Sequence, residues 1–176
     1  MNKPVVFKKI LITGSPGIGK TTSLIMLLEK VQPLNPVGFY TREIRKNNIR
    51  VGFELLDLEG HKSILSHVNI NSTYKIGKYG VDIIAFEKIM ESIDFRNHDN
   101  RLILIDEIGK MECLSKIFRE TIEYLLDSNK NLIATIARRG EGFINKIRNH
   151  PDIQLFELTK SNRDRIPTRI LEQIGL

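Results

Sequence analysis

Eight consecutive residues, Gly14-Ser15-Pro16-Gly17-Ile18-Gly19-Lys20-Thr21, fit the pattern G-x-x-x-x-G-K-[ST] without a gap. That pattern binds phosphate for stated physical reasons. The glycines let the backbone curl, so that successive N–H groups face an anion. The helix expected to follow turns its positive end toward the same charge. Lys20 is placed to reach β- and γ-phosphate oxygens, and the Thr21 hydroxyl to take one site on magnesium.

A second group of chemical interest is Asp106-Glu107, at the end of the apolar run Leu102-Ile103-Leu104-Ile105. In an open α/β sheet, ligands bind at the carboxyl ends of strands. There Asp106 would hold magnesium through a bound water, and Glu107, directed differently, would polarise a water lined up with the γ-phosphate. The competing reading is an acidic pair at a helix start, favoured by the dipole. Asp106-Glu107-Ile108-Gly109 also reads as D-x-x-G, a γ-phosphate-sensing loop. The guanine-reading N-K-x-D fails at Asn129-Lys130-Asn131-Leu132, so guanine selectivity is not expected.

Basic groups are candidates to complete the site. Arg138, in Arg138-Arg139-Gly140, follows a core strand and would bring a guanidinium to the charge that builds in the transition state, unless it is a plain surface arginine. Lys110 is a similar candidate. For Asn162 and Arg163 two readings stand: Arg163 stacking on a base with Asn162 hydrogen-bonding it, or a polar turn and helix cap. Thr41, Arg42 and Glu43 would close over a nucleotide. The four histidines lack metal-ligand spacing.

These groups need a scaffold of buried strands alternating with helices. Lys8–Thr13 reads as a strand into the loop, and Lys20–Val31 as a helix with Leu24, Leu27, Leu28 and Val31 on one face. Strand composition at 37–41 and 49–56, with turn signals at Asn47-Asn48 and Glu59-Gly60, predicts an antiparallel excursion over about 37–66. Residues 68–80 read as a polar loop and Val81–Ile93 as a helix. A strand over Arg101–Ile105, a helix over Leu114–Leu126, a strand over Leu132–Ala137 and a short helix over Gly142–Asn149 follow. Ile153–Leu158 is the last strand and Ile166–Ile174 the closing helix. The pattern is α/β, a mainly parallel sheet with helices on both faces, in one domain over 1–176.

The bulk numbers agree. The 176 residues suffice for one core, and 41% hydrophobic with 27% charged is ordinary for a globular chain. One cysteine excludes an internal disulfide framework, which with the absence of a signal or membrane-length apolar run makes the cytoplasm the expected compartment. The net charge of +6 is compatible with phosphate-rich ligands, but no nucleic-acid-binding motif is present. Nothing in the chain specifies an oligomeric state.

Taken in order, Gly14 to Thr21, Gly38-Phe39-Tyr40-Thr41, Arg50-Val51-Gly52-Phe53, Lys78-Tyr79-Gly80-Val81-Asp82, Asp106-Glu107-Ile108-Gly109-Lys110-Met111-Glu112 and Asn162-Arg163-Asp164 resemble the small P-loop nucleoside-triphosphatases of the thermophile type, whose animal branch is called cancer-related nucleoside-triphosphatase. The resemblance runs along nearly the whole chain. It implies a RecA-like core and magnesium-dependent hydrolysis of several nucleoside triphosphates (ATP, GTP, CTP, UTP) to diphosphate and phosphate. It also implies a nucleotide site made of Gly14 to Thr21 together with Arg101, Leu102, Ile103, Leu104, Ile105, Asp106, Glu107 and Ile108. A small nucleotide or metabolite kinase and a nucleic-acid-linked nucleotide switch are the alternatives.

Overall fold

The computed structural model describes residues 8–97, 99 and 102–175. Along the chain the elements are β1 (Lys9–Gly14), α1 (Lys20–Val31), β2 (Val37–Lys46), β3 (Ile49–Asp57), β4 (Lys62–His67), β5 (Lys75–Ile76), β6 (Tyr79–Val81), α2 (Ile83–Ser92), β7 (Leu102–Ile108), α3 (Lys116–Asp127), β8 (Asn131–Ile136), α4 (Phe143–Arg148), β9 (Ile153–Leu158) and α5 (Ile166–Ile174). One-turn 3-10 helices lie at Gln32–Leu34 and Glu112–Leu114.

Among the described residues the strands form one sheet in the order β5-β6-β4-β3-β2-β7-β8-β1-β9. From β2 to β9 the neighbours run parallel; from β2 outward to β5 they run antiparallel. β8 separates the strand that feeds the phosphate loop from the strand that carries the acid pair, so both open at the same edge of the sheet.

Side-chain alternation on each central strand divides the core into two layers. Ile10, Ile12, Leu102, Leu104 and Ile133 face Leu24, Leu27 and Val31 of α1 and Ile166 and Ile170 of α5. Leu11, Ile103, Ile105, Leu132 and Ala134 face the other way, toward Phe86 and Met90 of α2, Phe118, Ile122 and Leu125 of α3, and Ile144 and Ile147 of α4. These strands are apolar on both faces because both faces are covered, which is why they read as unbroken apolar runs. Phe39, Phe86 and Phe118 meet with ring centroids 5.7–6.1 Å apart and fasten β2 to α2 and α3. Gly38 makes this possible: a Cβ there would lie 1.8 Å from the Leu104 carbonyl oxygen, so only glycine lets β2 pair with β7.

Four sequence expectations are corrected. The excursion is not merely added to the core, because β2 belongs to both: Val37, Gly38 and Phe39 pair parallel with β7, while Phe39–Lys46 pairs antiparallel with β3. The excursion also does not end at Ser66, since 68–80 contains β5 and the start of β6, pairs too short for a periodicity to show. Val81 is the last residue of β6, and α2 begins at Ile83 after Asp82, whose carboxylate accepts the Ala85 N–H at 2.9 Å. Finally, β7 does not stop at the acids but continues through them to Ile108, with its register to β8 shifted between Ile105 and Ile108.

The turns follow their residues. Asn47 and Asn48 both take left-handed φ, 49° and 60°, and close the β2–β3 hairpin. Asp57 shapes the β3–β4 turn by accepting the N–H groups of Glu59 at 3.0 Å and His61 at 2.8 Å. Its other oxygen meets His61 Nδ1 at 2.7 Å and holds the imidazole above its ordinary pKa. This turn brings Asp57, Glu59 and His61 together after all, though Asp57 is already occupied in shaping it.

Beneath the sheet's other end, buried Lys9 donates from Nζ to the carbonyls of Leu125 at 2.5 Å, Ser128 at 2.8 Å and Lys130 at 2.6 Å, closing the C-terminus of α3. Lys9→Met would take this donor from all three carbonyls, of which that of Leu125 keeps the Ser128 hydroxyl at 2.8 Å. The expected loss is about 3 kcal/mol, read as a fall of roughly 10 °C in Tm for a chain this size.

Candidate active site

The phosphate loop occupies the turn from β1 into α1. Gly17 and Gly19 sit at φ 74° and 108°, conformations that favour glycine. The Ile18 N–H donates to the Ser15 carbonyl at 3.1 Å, which tightens the curl. No side chain caps the first turn of α1, and that turn holds no acid. Its N–H groups and positive end are thus left for an anionic ligand.

Opposite the loop, Asp106 is 1% exposed and surrounded by hydroxyls. Thr21 Oγ1 donates to Oδ2 at 2.8 Å, Thr41 Oγ1 to the same oxygen at 3.2 Å, and Thr135 Oγ1 to Oδ1 at 2.5 Å. Three strands and a helix therefore aim this carboxylate. Thr41 lies beside the acid, where it contributes to the site's wall. The carboxylate and the Thr21 hydroxyl, hard oxygen donors beside a phosphate cradle, fit a magnesium ion.

The next residue behaves differently. Glu107 Oε2 lies 3.3 Å from Lys20 Nζ, with side-chain exposures of 30% and 12%. Burial raises the Glu107 pKa, an effect only partly offset by the Lys20 charge. Neighbouring Glu112 is buried by a single turn in which the Cys113 N–H donates to the Gly109 carbonyl at 3.0 Å. Burial, with the nearby Glu107 charge second, pushes Glu112 up to about 8. Near neutral pH it is therefore a neutral acid.

Glu112 supplies a pH test. Between its ordinary value of 4.5 and about 8, the unfolded chain has released this proton while the folded chain keeps it. Stability accordingly falls as pH rises through that window and levels off above it. In metal-free buffer, Glu112→Gln is expected to melt with the parent at pH 5 and roughly 5 °C above it at pH 9.

These groups line a cleft of about 620 Å³, bounded by Gly17, Gly19, Lys20 and Thr21 on one side and by Thr41, Asp106, Glu107 and Glu112 on another. Arg42, Arg50 and Phe53 of the excursion and Arg139 complete its wall. Of the arginine pair, Arg139 lines the cleft. Arg138 instead donates from Nη1 to Ser15 Oγ at 2.9 Å and pairs with Glu157 at 3.2 Å, because the chain leaves β8 with the two side chains divergent. Leu102, Ile103, Leu104 and Ile105 are at most 2% exposed and Ile108 is fully buried, so they carry the acid pair to the rim without lining the cleft. Arg101 lies outside the described residues. Asn162 shapes a turn, its Oδ1 accepting the Thr159 N–H at 2.8 Å and its Nδ2 donating to the Glu157 carbonyl at 2.9 Å. Arg163 is half-exposed, 3.8 Å from Asp164. Both follow β9, outside the cleft.

Thr135 and Glu112 are site residues that no motif singles out. A hydroxyl inside the apolar run Leu132–Ile136 marked the first, and an acid in an otherwise apolar 3-10 turn marked the second.

A phosphate loop on β1, an acid pair at the end of β7 and a strand between them define a P-loop nucleotide-binding protein of RecA-like arrangement. The chain belongs to the NTPase family, whose sequence model matches residues 9–171. It is 43% identical over 164 residues to the nucleoside-triphosphatase THEP1 of Thermotoga maritima, covering 93% of each chain. It is 32% identical over 176 residues to the human cancer-related nucleoside-triphosphatase, covering 90% of this chain and 92% of that one. The crystal structure of THEP1 from Aquifex aeolicus superposes with a TM-score of 0.87 at 39% identity, over 96% of this chain and 99% of that one. No helix among the described residues is long and apolar enough to cross a membrane.

Proposed function

We propose that this nucleoside triphosphatase hydrolyses ATP, GTP, CTP and UTP alike, to diphosphate and phosphate, with magnesium. The observation that carries the reading is the joining of Lys20, Thr21, Asp106 and Glu107 at one rim. The loop amides and the start of α1 bind the phosphates. Lys20 moves from Glu107 to the γ-phosphate, which frees a carboxylate that burial has already made more basic. Glu107 then takes the proton of the attacking water, and Asp106 and Thr21 are the residues that would hold the metal. Magnesium, if bound there, would neutralise phosphate charge. Arg139 and Lys110, with Arg42 and Arg50 of the excursion, are further basic groups lining the site.

Broad base acceptance follows from what stands near β9. The Asn162 amide is engaged on both sides by the turn, and a stacking guanidinium such as Arg163 accepts any base. Phosphate release measured on the four triphosphates is expected to give kcat/KM values within about tenfold of one another, since no base-specific hydrogen bonds separate them. Chelating magnesium is expected to abolish release with all four. A preference above about a hundredfold, or release that survives chelation, would overturn the reading.

A further inference from the structure

The cleft continues past the place of hydrolysis. A second cavity, of about 740 Å³, adjoins it and shares Ile76, Lys110 and Arg139 as lining. Its remaining wall includes Arg119 of α3 and Phe143 and Ile144 of α4. The sheet order fixes which end of a nucleotide looks this way. β1 lies between β8 and β9, and the acids stand on β7, one strand beyond β8. A triphosphate whose γ end meets Asp106 and Glu107 would run its α end toward β9, and the second cavity, which has no phosphate-loop residue in its wall and adjoins the cleft at Lys110 and Arg139, would then lie past the γ-phosphate.

Hydrolysis needs far less room than this. One water occupies about 30 Å³, whereas sites for small organic ligands run to roughly 300–1,000 Å³. The charge is also directed. Lys110 and Arg139, at the junction, have no ion-pair or hydrogen-bond partner among the described residues. Arg119 adds a third cation, its Nη1 given to the Cys113 carbonyl at 2.6 Å, against the single acid Glu141. Phe143, Ile144 and Ile76 supply apolar surface.

We infer that the second cavity binds a small phosphomonoester bearing a free hydroxyl, and that this molecule accepts the γ-phosphoryl group in place of water. Lys110 and Arg139 would hold it against the transferring group, and Phe143 would pack on its carbon skeleton. In the step, the acceptor's hydroxyl oxygen bonds to the γ-phosphorus. The bond from that phosphorus to the β–γ bridging oxygen breaks, and its electron pair leaves with the nucleoside diphosphate. The hydroxyl proton passes to the Glu107 carboxylate. The inference rests on the reading above, that the triphosphate lies with its γ end at Glu107.

The test follows label from γ-labelled ATP with magnesium and the full chain, in the presence of nucleoside 5′-monophosphates, ribose 5-phosphate or glycerol 3-phosphate. Transfer of label to one of these supports the inference. Free phosphate as the only labelled product, with no probe changing its rate of release, overturns it. Loss of all release would strike the hydrolytic reading instead, so the two failures are distinct. For the probe that is labelled, Phe143→Ala is expected to raise the acceptor KM about tenfold, and Glu141→Gln, an exposed change, to lower it several-fold, with the KM for ATP within twofold in both. An acceptor KM unmoved by Glu141→Gln and by a folded Phe143→Ala would overturn this location.

Discussion

Lys20→Ala is expected to reduce phosphate release by roughly 10³-fold, with nucleotide binding weakened as well. The Lys20 side chain is 12% exposed, its ion-pair partner is Glu107, and it lines the cleft next to the loop amides. A triphosphate entering that cleft gives it a stronger partner in phosphate oxygens, in a site shielded enough for the charge to count. Removing it takes away a transition-state contact and also the cation that partly restrains the rise in the Glu107 pKa. Phosphate release under magnesium-ATP and calorimetric titration with a non-hydrolysable analogue measure the two effects separately. Activity within tenfold of the parent would remove Lys20 from the mechanism.

Glu107→Gln is expected to separate these effects. The amide keeps the shape but cannot take a proton, so turnover should fall about 10²- to 10⁴-fold. Binding should be retained or slightly tightened, because Lys20 no longer has to leave an ionised partner. Single-turnover release and analogue titration on the same preparation read both. Unchanged hydrolysis would leave the water without its proposed base and would return Glu107 to a structural role beside Lys20.

Where local sequence dictates local structure, linear pattern and fold agree. The spans Lys20–Val31, Ile153–Leu158 and Ile166–Ile174 coincide with α1, β9 and α5. The first is an amphipathic helix stopped by prolines, the second an apolar strand, and the third a helix ended by Gly175 in the left-handed region. The phosphate loop and the acid pair were legible for the same reason, as contiguous residues with fixed chemistry. What linear spacing does not show is pairing across the sheet. Thr135 meets Asp106 because β8 lies beside β7, and nothing within 131–136 alone states its neighbour. The double membership of β2 was hidden likewise, since a strand that is parallel at one end and antiparallel at the other has ordinary strand composition throughout. Arg138 and Arg139 were equivalent in sequence, and only the path of the chain after β8 distinguishes them.

The unbroken course of β2 has a mechanical consequence. Phe39 clamps it at the root, Thr41 touches Asp106 two residues on, and the register slips farther out, between Ile44 and Arg45. The projecting ribbon is thus a cantilever whose joint lies outboard of the reacting groups. Bending at that joint would move Arg50 in the cleft wall, whereas the Thr41 contact to Asp106 lies inboard of it. Such an appendage can adjust the cleft's outer wall apart from the carboxylate at its base.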